Sequence, residues 1–320
     1  MQNTSNELDY DAAFVLGSLR SGTTLLRIML GNHPDMNEVG ELNYAVDFLN
    51  STLARVASHW NRKQIRNDIV LSRSYRALPG KLDVSLPLPE RFRKHINDHF
   101  VANNVNIGTF HRHFMLVLEL FPKSKFIHIV RDPRDVAKSA MLNKMYGNTY
   151  SAVQCWLDAE ESWDSLKLAI DPKNWIEVRY EQLVSKPENC LTEICKFVGL
   201  EYHPSMIDFT GSTYSPPEAR HTLPWMDTLT SSDLRHIESR AWPLMIERDY
   251  RPQHLERPVV STPERVWLEF DHKIRNLTFS IGRYGPWLTF LEKITRRTGP
   301  ESLWRQTLDR MDEIAARYLK

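Results

Sequence analysis

The sequence is short of several things, and each absence closes a route. It holds three cysteines in 320 residues, Cys155, Cys190 and Cys195. An odd count without metal-ligand spacing argues against a disulfide framework, and the simplest expectation is a reduced, cytoplasmic compartment. Charge of one sign is not in excess, since 41 Lys and Arg stand against 40 Asp and Glu, so no basic field points to nucleic acid. No apolar run approaches the about 20 residues of a membrane helix, so no membrane span is expected. The start, Met1 to Glu7, is polar and lacks a signal peptide's basic head and apolar core. No internal repeat, low-complexity tract or acidic cluster with metal spacing is visible, and no metal is expected.

The most informative stretch runs from Phe14 to Arg27. Ala12 to Leu16 is a short apolar run bounded by Gly17, the pattern of a buried strand. Leu25, Leu26, Ile28, Met29 and Leu30 then give a mostly apolar helical face. Between them lies a loop with two glycines and several hydroxyls. Such a loop exposes backbone N–H groups, and the helix behind it adds the positive end of its dipole, which together cradle an anion. The spacing follows the phosphate-loop pattern G-x-x-x-x-G-K-[ST] at Gly17, Gly22 and Thr24. Thr23 stands where that pattern has lysine, and the basic residue is displaced to Arg20. A loop without the lysine that serves a β,γ-phosphate implies a different anion.

Further strand candidates alternate with helical stretches. Met36 to Val39 reads as a short strand, with Gly40-Glu41 opening the next helix; Asn106 to Thr109 reads as a strand end. Lys125 to Val130 and Trp175 to Tyr180 are β-branched and aromatic strand candidates. Long helical patterns cover Ala152 to Ile170, Pro187 to Val198 and most of the chain from Ser231, with breaks near Pro252, Pro263 and Pro286. The expected fold is α/β, a phosphate-loop-like three-layer arrangement of about five mostly parallel strands. Its expected division is residues 1–255 for this domain and 256–320 for a helical C-terminal extension.

A second motif reads F-I-H-I-V-R-D-P-R-D-V-A-K-S from Phe126 to Ser139. A strand would deliver Arg131 to the carboxyl edge of the sheet, where ligands bind in open α/β folds. Eight residues on, Ser139 would lie on the following helix. An arginine fork and a hydroxyl make a phosphate receptor. Pro133 suits the first turn of that helix, where its missing N–H costs nothing.

Taken together, Arg20-Ser21-Gly22-Thr23-Thr24 and the Arg131–Ser139 stretch resemble the sulfotransferases that use 3′-phosphoadenosine 5′-phosphosulfate (PAPS). The first is similar to the RSGTT loop of tyrosylprotein sulfotransferases and bacterial relatives. The resemblance covers about residues 12 to 250. It implies that Arg20 and the loop from Ser21 to Thr24 hold the 5′-phosphosulfate, and that Arg131 and Ser139 hold the 3′-phosphate. Tyr180, in a segment similar to the family's YEQLV, is implied beside the nucleotide, and Ser212 near its leaving group. Glu41, just after Gly40, corresponds to the family's catalytic glutamate. One departure is evident: Asn106 to His113 lacks the lysine that relatives often carry there. His111, Arg112 or His113 could substitute, and His111 or His113 competes with Glu41 as base, since histidine titrates near neutral pH.

The expected function is transfer of a sulfuryl group from PAPS, as donor, to an acceptor hydroxyl. Arg20 and loop amides would stabilise the leaving phosphate and Glu41 would act as base. The acceptor itself is not legible. A kinase or nucleoside-triphosphatase, and a non-catalytic nucleotide-binding protein, are the alternatives. Trp287 and Trp304 in the tail are candidate anchors for a homo-oligomer.

Overall fold

The computed structural model of the chain describes residues 11–57, 73–210, 224–298 and 300–316. Its strands are β1 (Ala12–Leu16), β2 (Met36–Glu41), β3 (Val105–Phe110), β4 (Lys125–Val130) and β5 (Trp175–Arg179). They form one sheet in the order β2-β3-β1-β4-β5, every pair parallel. The first helices are α1 (Thr23–Gly31), α2 (Asn43–Ala57), α3 (Arg73–Ala77), α4 (Leu88–Asn97) and α5 (Phe114–Leu120). Then follow α6 (Pro133–Leu142), α7 (Thr149–Ala152), α8 (Gln154–Ala169), α9 (Tyr180–Ser185) and α10 (Pro187–Val198). The chain continues with α11 (Ser231–Glu247), α12 (Thr262–Thr298) and α13 (Glu301–Ala316). Ser212 lies outside the described residues.

The chain divides into two compact units. The first comprises Met1–His59, Ala77–Arg131 and Asp158–Pro224 and holds the whole sheet. Strand side chains alternate between its two faces. Ala13, Val15, Ile107, Ile127 and Ile129 pack with Leu26, Met29 and Leu30 of α1 and with Leu191, Ile194 and Cys195 of α10. On the opposite face Phe14 meets Phe110 and Phe121, with ring centroids 5.4 and 4.7 Å apart. There His128 also stacks on Trp163 of α8 at 4.5 Å. Covering both faces of a parallel sheet explains why the central strand carries an unbroken apolar run rather than an alternating one.

The second unit comprises Trp60–Arg76, Asp132–Leu157 and Trp225–Lys320 and is helical wherever regular structure is described. Asp132 caps α6, accepting from the Arg134 N–H at 2.9 Å, and Pro133 fills the first helical position. The same carboxylate takes two bonds from the Arg134 guanidinium, at 2.9 and 2.7 Å. That guanidinium lies 3.8 Å from the Trp225 ring centre. α12 is interrupted at Gly285, beside Pro286, where φ is 79°.

The five strand candidates all pair, and the chain is α/β as expected. Two boundaries moved. Gly40 and Glu41 end β2 instead of opening α2, because the ladder to β3 continues past a bulge at Glu38/Gly40 and extends to Leu42, whose N–H reaches Thr109 O at 2.9 Å. Tyr180 starts α9 rather than ending β5. Gly17 allows the turn after β1 to pass close to β4: a Cβ there would sit 2.6 Å from Ile129 O. Backbone cannot yield as a side-chain tip can, so Gly17→Ala is expected to destabilise the protein by about 1–3 kcal/mol. Thermal denaturation of the variant measures this; an unchanged melting temperature would refute the close approach.

Candidate functional site

In the order β2-β3-β1-β4-β5 the chain leaves β1 for the edge strand β2, returns to β3 beside β1 and then crosses to β4 and β5, so the topological switch lies between β1 and β4. The loop after β1 turns on Gly17, whose N–H donates to Phe110 O at 3.3 Å. The Ser21 hydroxyl and N–H both return to Ser18 O, at 2.6 and 3.2 Å. These bonds fix the loop from within. Arg20 is held at φ 72°, a left-handed conformation that an arginine adopts at some cost. Gly22 caps α1 at φ 94°, with no side chain bonded to the helix's first turn. Among the described residues the first N–H groups of α1 therefore have neither an intrahelical acceptor nor a side-chain cap, as an anion cradle requires.

Two further strand ends close on this loop. Arg131, directly after β4, donates from Nη1 to Arg20 O at 3.1 Å. Its guanidinium lies 4.0 Å from the ring centre of Tyr180, directly after β5. The Tyr180 ring in turn presses on the loop, since a Cβ on Gly22 would lie 2.3 Å from Tyr180 Cδ2. Glycine is needed at position 22 both for its backbone angle and for that ring. The loop, the arginine and the tyrosine thus form one packed layer, with a guanidinium–aromatic contact at its centre.

The other two strands supply a carboxylate and an imidazole. His111 follows β3 and is buried; its backbone N–H donates to Asn43 Oδ1 at 2.8 Å. Its Nδ1 lies 3.0 Å from Gly17 O. A carbonyl only accepts, so Nδ1 carries the proton and Nε2 of the neutral ring keeps its lone pair. Nε2 is 3.7 Å from Glu41 Oε1, beyond hydrogen-bond length, and has no hydrogen-bond partner among the described residues. Glu41, at the end of β2, is exposed. A hydroxyl placed beside the pair could donate its single proton to either group.

The remaining basic candidates lie elsewhere. Arg112 grips Asp47 with two bonds of 2.6 and 2.5 Å, and His113 Nε2 is 4.0 Å from the same carboxylate. Ser139 lies on α6 in the second unit. Nothing in the sequence singles out Asn43. It follows Glu41 by two residues, yet only the fold shows that its side chain fixes the backbone of His111.

Residues 12–204 match the model of the sulfotransferase family. The chain belongs to the sulfotransferase family. A putative protein-tyrosine sulfotransferase of Caenorhabditis briggsae is 25% identical over 251 residues, 71% of this chain and 85% of that protein. An omega-hydroxy-beta-dihydromenaquinone-9 sulfotransferase of Mycobacterium tuberculosis is 30% identical over 166 residues, 46% of this chain and 41% of that protein. The chain thus spans about two fifths of the length of that mycobacterial sulfotransferase. The sulfotransferase domain of a Synechococcus olefin synthase shares the fold, with a TM-score of 0.51 at 19% identity. That superposition covers 75% of this chain and 98% of that domain.

Burial lowers the pKa of His113, opposed in part by Asp47. Burial, with His99 beside it, likewise lowers that of His95, which meets the Tyr44 hydroxyl at 2.7 Å. Below the ordinary histidine pKa of about 6.5 the unfolded chain then binds more protons than the folded one, so stability falls on acidification. Urea denaturation should give a lower midpoint at about pH 5 than at about pH 7. The difference should shrink in His113→Asn; an equal pH dependence in both proteins would contradict the assignment.

Proposed function

We propose that the chain transfers a sulfuryl group from PAPS to an acceptor hydroxyl. The observation that carries this is the packed layer of Arg20, Gly22, Arg131 and Tyr180 around an uncapped helix start. It offers the Arg131 guanidinium and the amides at the start of α1 to one polyanion; the Arg20 side chain is assigned to the same anion by family resemblance. The loop fits the donor nucleotide: the α1 amides and Arg20 would hold its 5′-phosphosulfate and Arg131 its 3′-phosphate, a phosphate to which Ser139 is assigned by family resemblance alone. Tyr180, and Ser212 by family resemblance, would line it. When bound, the nucleotide supplies the sulfuryl group on a phosphate that leaves already stabilised as an anion. Arg20 and the loop amides act on the charge of that leaving oxygen, a contribution typical of preorganised donors.

The acceptor must lose a proton as its oxygen attacks. Glu41 is the proposed base, and His111 Nε2, 3.7 Å from its carboxylate, is the second group that could accept the same proton. Nδ1 on the Gly17 carbonyl ties this pair to the donor loop. Relatives named for protein tyrosine and for an omega-hydroxylated menaquinone both present a hydroxyl, which supports a hydroxyl acceptor here.

Four experiments test the proposal. Adenosine 3′,5′-bisphosphate should raise the melting temperature more than ATP with magnesium does. Arg131→Ala should weaken binding of that bisphosphate far more than binding of AMP. Stabilisation by ATP-magnesium alone would favour a kinase, and equal losses for both nucleotides would remove the 3′-phosphate from Arg131. In single-turnover assays with an active acceptor, Glu41→Gln should lower the rate by about 10²–10⁴-fold while leaving bisphosphate affinity intact. His111→Asn retains a donor for Gly17 O but removes Nε2, so a slowed reaction at unchanged melting temperature would separate a chemical role from a structural one.

A further inference from the structure

α12 carries apolar side chains on the side turned away from its own unit. Its inner side is fixed by Leu268, which is buried and whose carbonyl accepts from Asn148 Nδ2 at 2.7 Å. His272, one turn on, accepts from the Gly147 N–H at 2.9 Å through Nδ1. Residues 266, 267, 270 and 274 recur at helical spacing on the opposite side. They are Val266, Trp267, Phe270 and Ile274, and Trp267 and Phe270 are 61% and 53% exposed. Beyond the break at Gly285, Trp287 is 77% exposed and Phe290 49%. Trp267 and Phe270 before the break and Trp287 and Phe290 after it are more than scattered surface residues, and the stripe from Val266 to Ile274 marks an interaction surface.

The charge on α12 indicates what covers it. The chain as a whole is nearly neutral, but α12 holds seven Lys and Arg against four Asp and Glu. Three of those four acids are engaged: Glu264 with Arg235 and His236, Asp271 with Arg275, and Glu292 with Arg296. Arg265, Lys273 and Lys293 are exposed. Aromatic and aliphatic residues along one face, with a cationic surplus beside them, are the features of a helix that lies in the interface of a bilayer. A second copy would bring two helices of the same net charge together. No described helix is long and apolar enough to cross a membrane, so the contact would be peripheral.

We propose that α12 docks the protein on an anionic membrane surface, laying Trp267, Phe270 and Ile274 into the headgroup region. The chain should float with vesicles containing phosphatidylglycerol, bind pure phosphatidylcholine vesicles more weakly, and release from the anionic vesicles at high salt. Trp267→Gln with Phe270→Gln should lower partitioning by at least about ten-fold. Lys273→Glu and Lys293→Glu should each lower it by about five-fold. All four side chains are solvent-facing, so circular dichroism and melting temperature should match the parent and keep the comparison interpretable. No binding to the anionic vesicles at low salt would overturn the proposal, as would binding that survives the aromatic substitutions. A lipid-free dimer in sedimentation that Trp267→Gln and Phe270→Gln dissociate, without vesicle binding, would also overturn it and assign the face to a second copy.

Discussion

The carboxyl edge of the sheet depends on how closely β1 runs past β4. Gly17 lies so near Ile129 O that a single added carbon would collide with backbone. That approach turns the following loop toward Arg131, whose guanidinium holds the Arg20 carbonyl. The left-handed angle at Arg20 is unfavourable in isolation and is maintained because the neighbouring strand supplies this bond. Strain at one residue and order at the next strand end are therefore parts of one arrangement.

Each of the five strands brings one group to the same edge. β1 leads into the Arg20 loop, β2 ends in Glu41, β3 precedes His111, β4 precedes Arg131 and β5 precedes Tyr180. Parallel strands make this possible, because all their carboxyl ends point the same way and the crossover helices return the chain behind the sheet. The two halves of the edge differ in chemistry. Around β1, β4 and β5 the layer is cationic and aromatic, suited to a nucleotide's phosphates and rings. Around β2 and β3 it is a carboxylate beside an imidazole, suited to proton transfer. Gly17 belongs to both: its side-chain position is denied by β4, and its carbonyl fixes the tautomer of His111.

The helical unit follows a different logic. Its buried polar groups are densely paired, as with Arg134 between Asp132, Glu238 and Trp225. Its long helix nonetheless leaves aromatic residues uncovered. Burying ionic groups while displaying tryptophan is opposite to the usual partition of residue types, and it is the physical reason for assigning that face a partner.

Much of this was legible in the sequence because it depends on local chemistry. The apolar run into Gly17, the glycine pair around Arg20, and Asp132-Pro133 after a β-branched run each dictate a strand end, a turn or a helix start from neighbouring residues. Family resemblance then supplied expected partners for those loops. The placement of Glu41 was not legible, because β2 is an edge strand with a polar sequence and its pairing partner lies about 70 residues away. Nor was the choice among His111, Arg112 and His113 to stand beside Glu41. Adjacent in sequence, they diverge in space because one reaches Gly17 and Glu41 while the others turn to Asp47. The sequence alone determined the Arg20 loop and the Arg131 strand end, since backbone geometry there is set by near neighbours. Tertiary structure alone decided which of them meet, since contacts between strands order themselves by the pairing of distant segments.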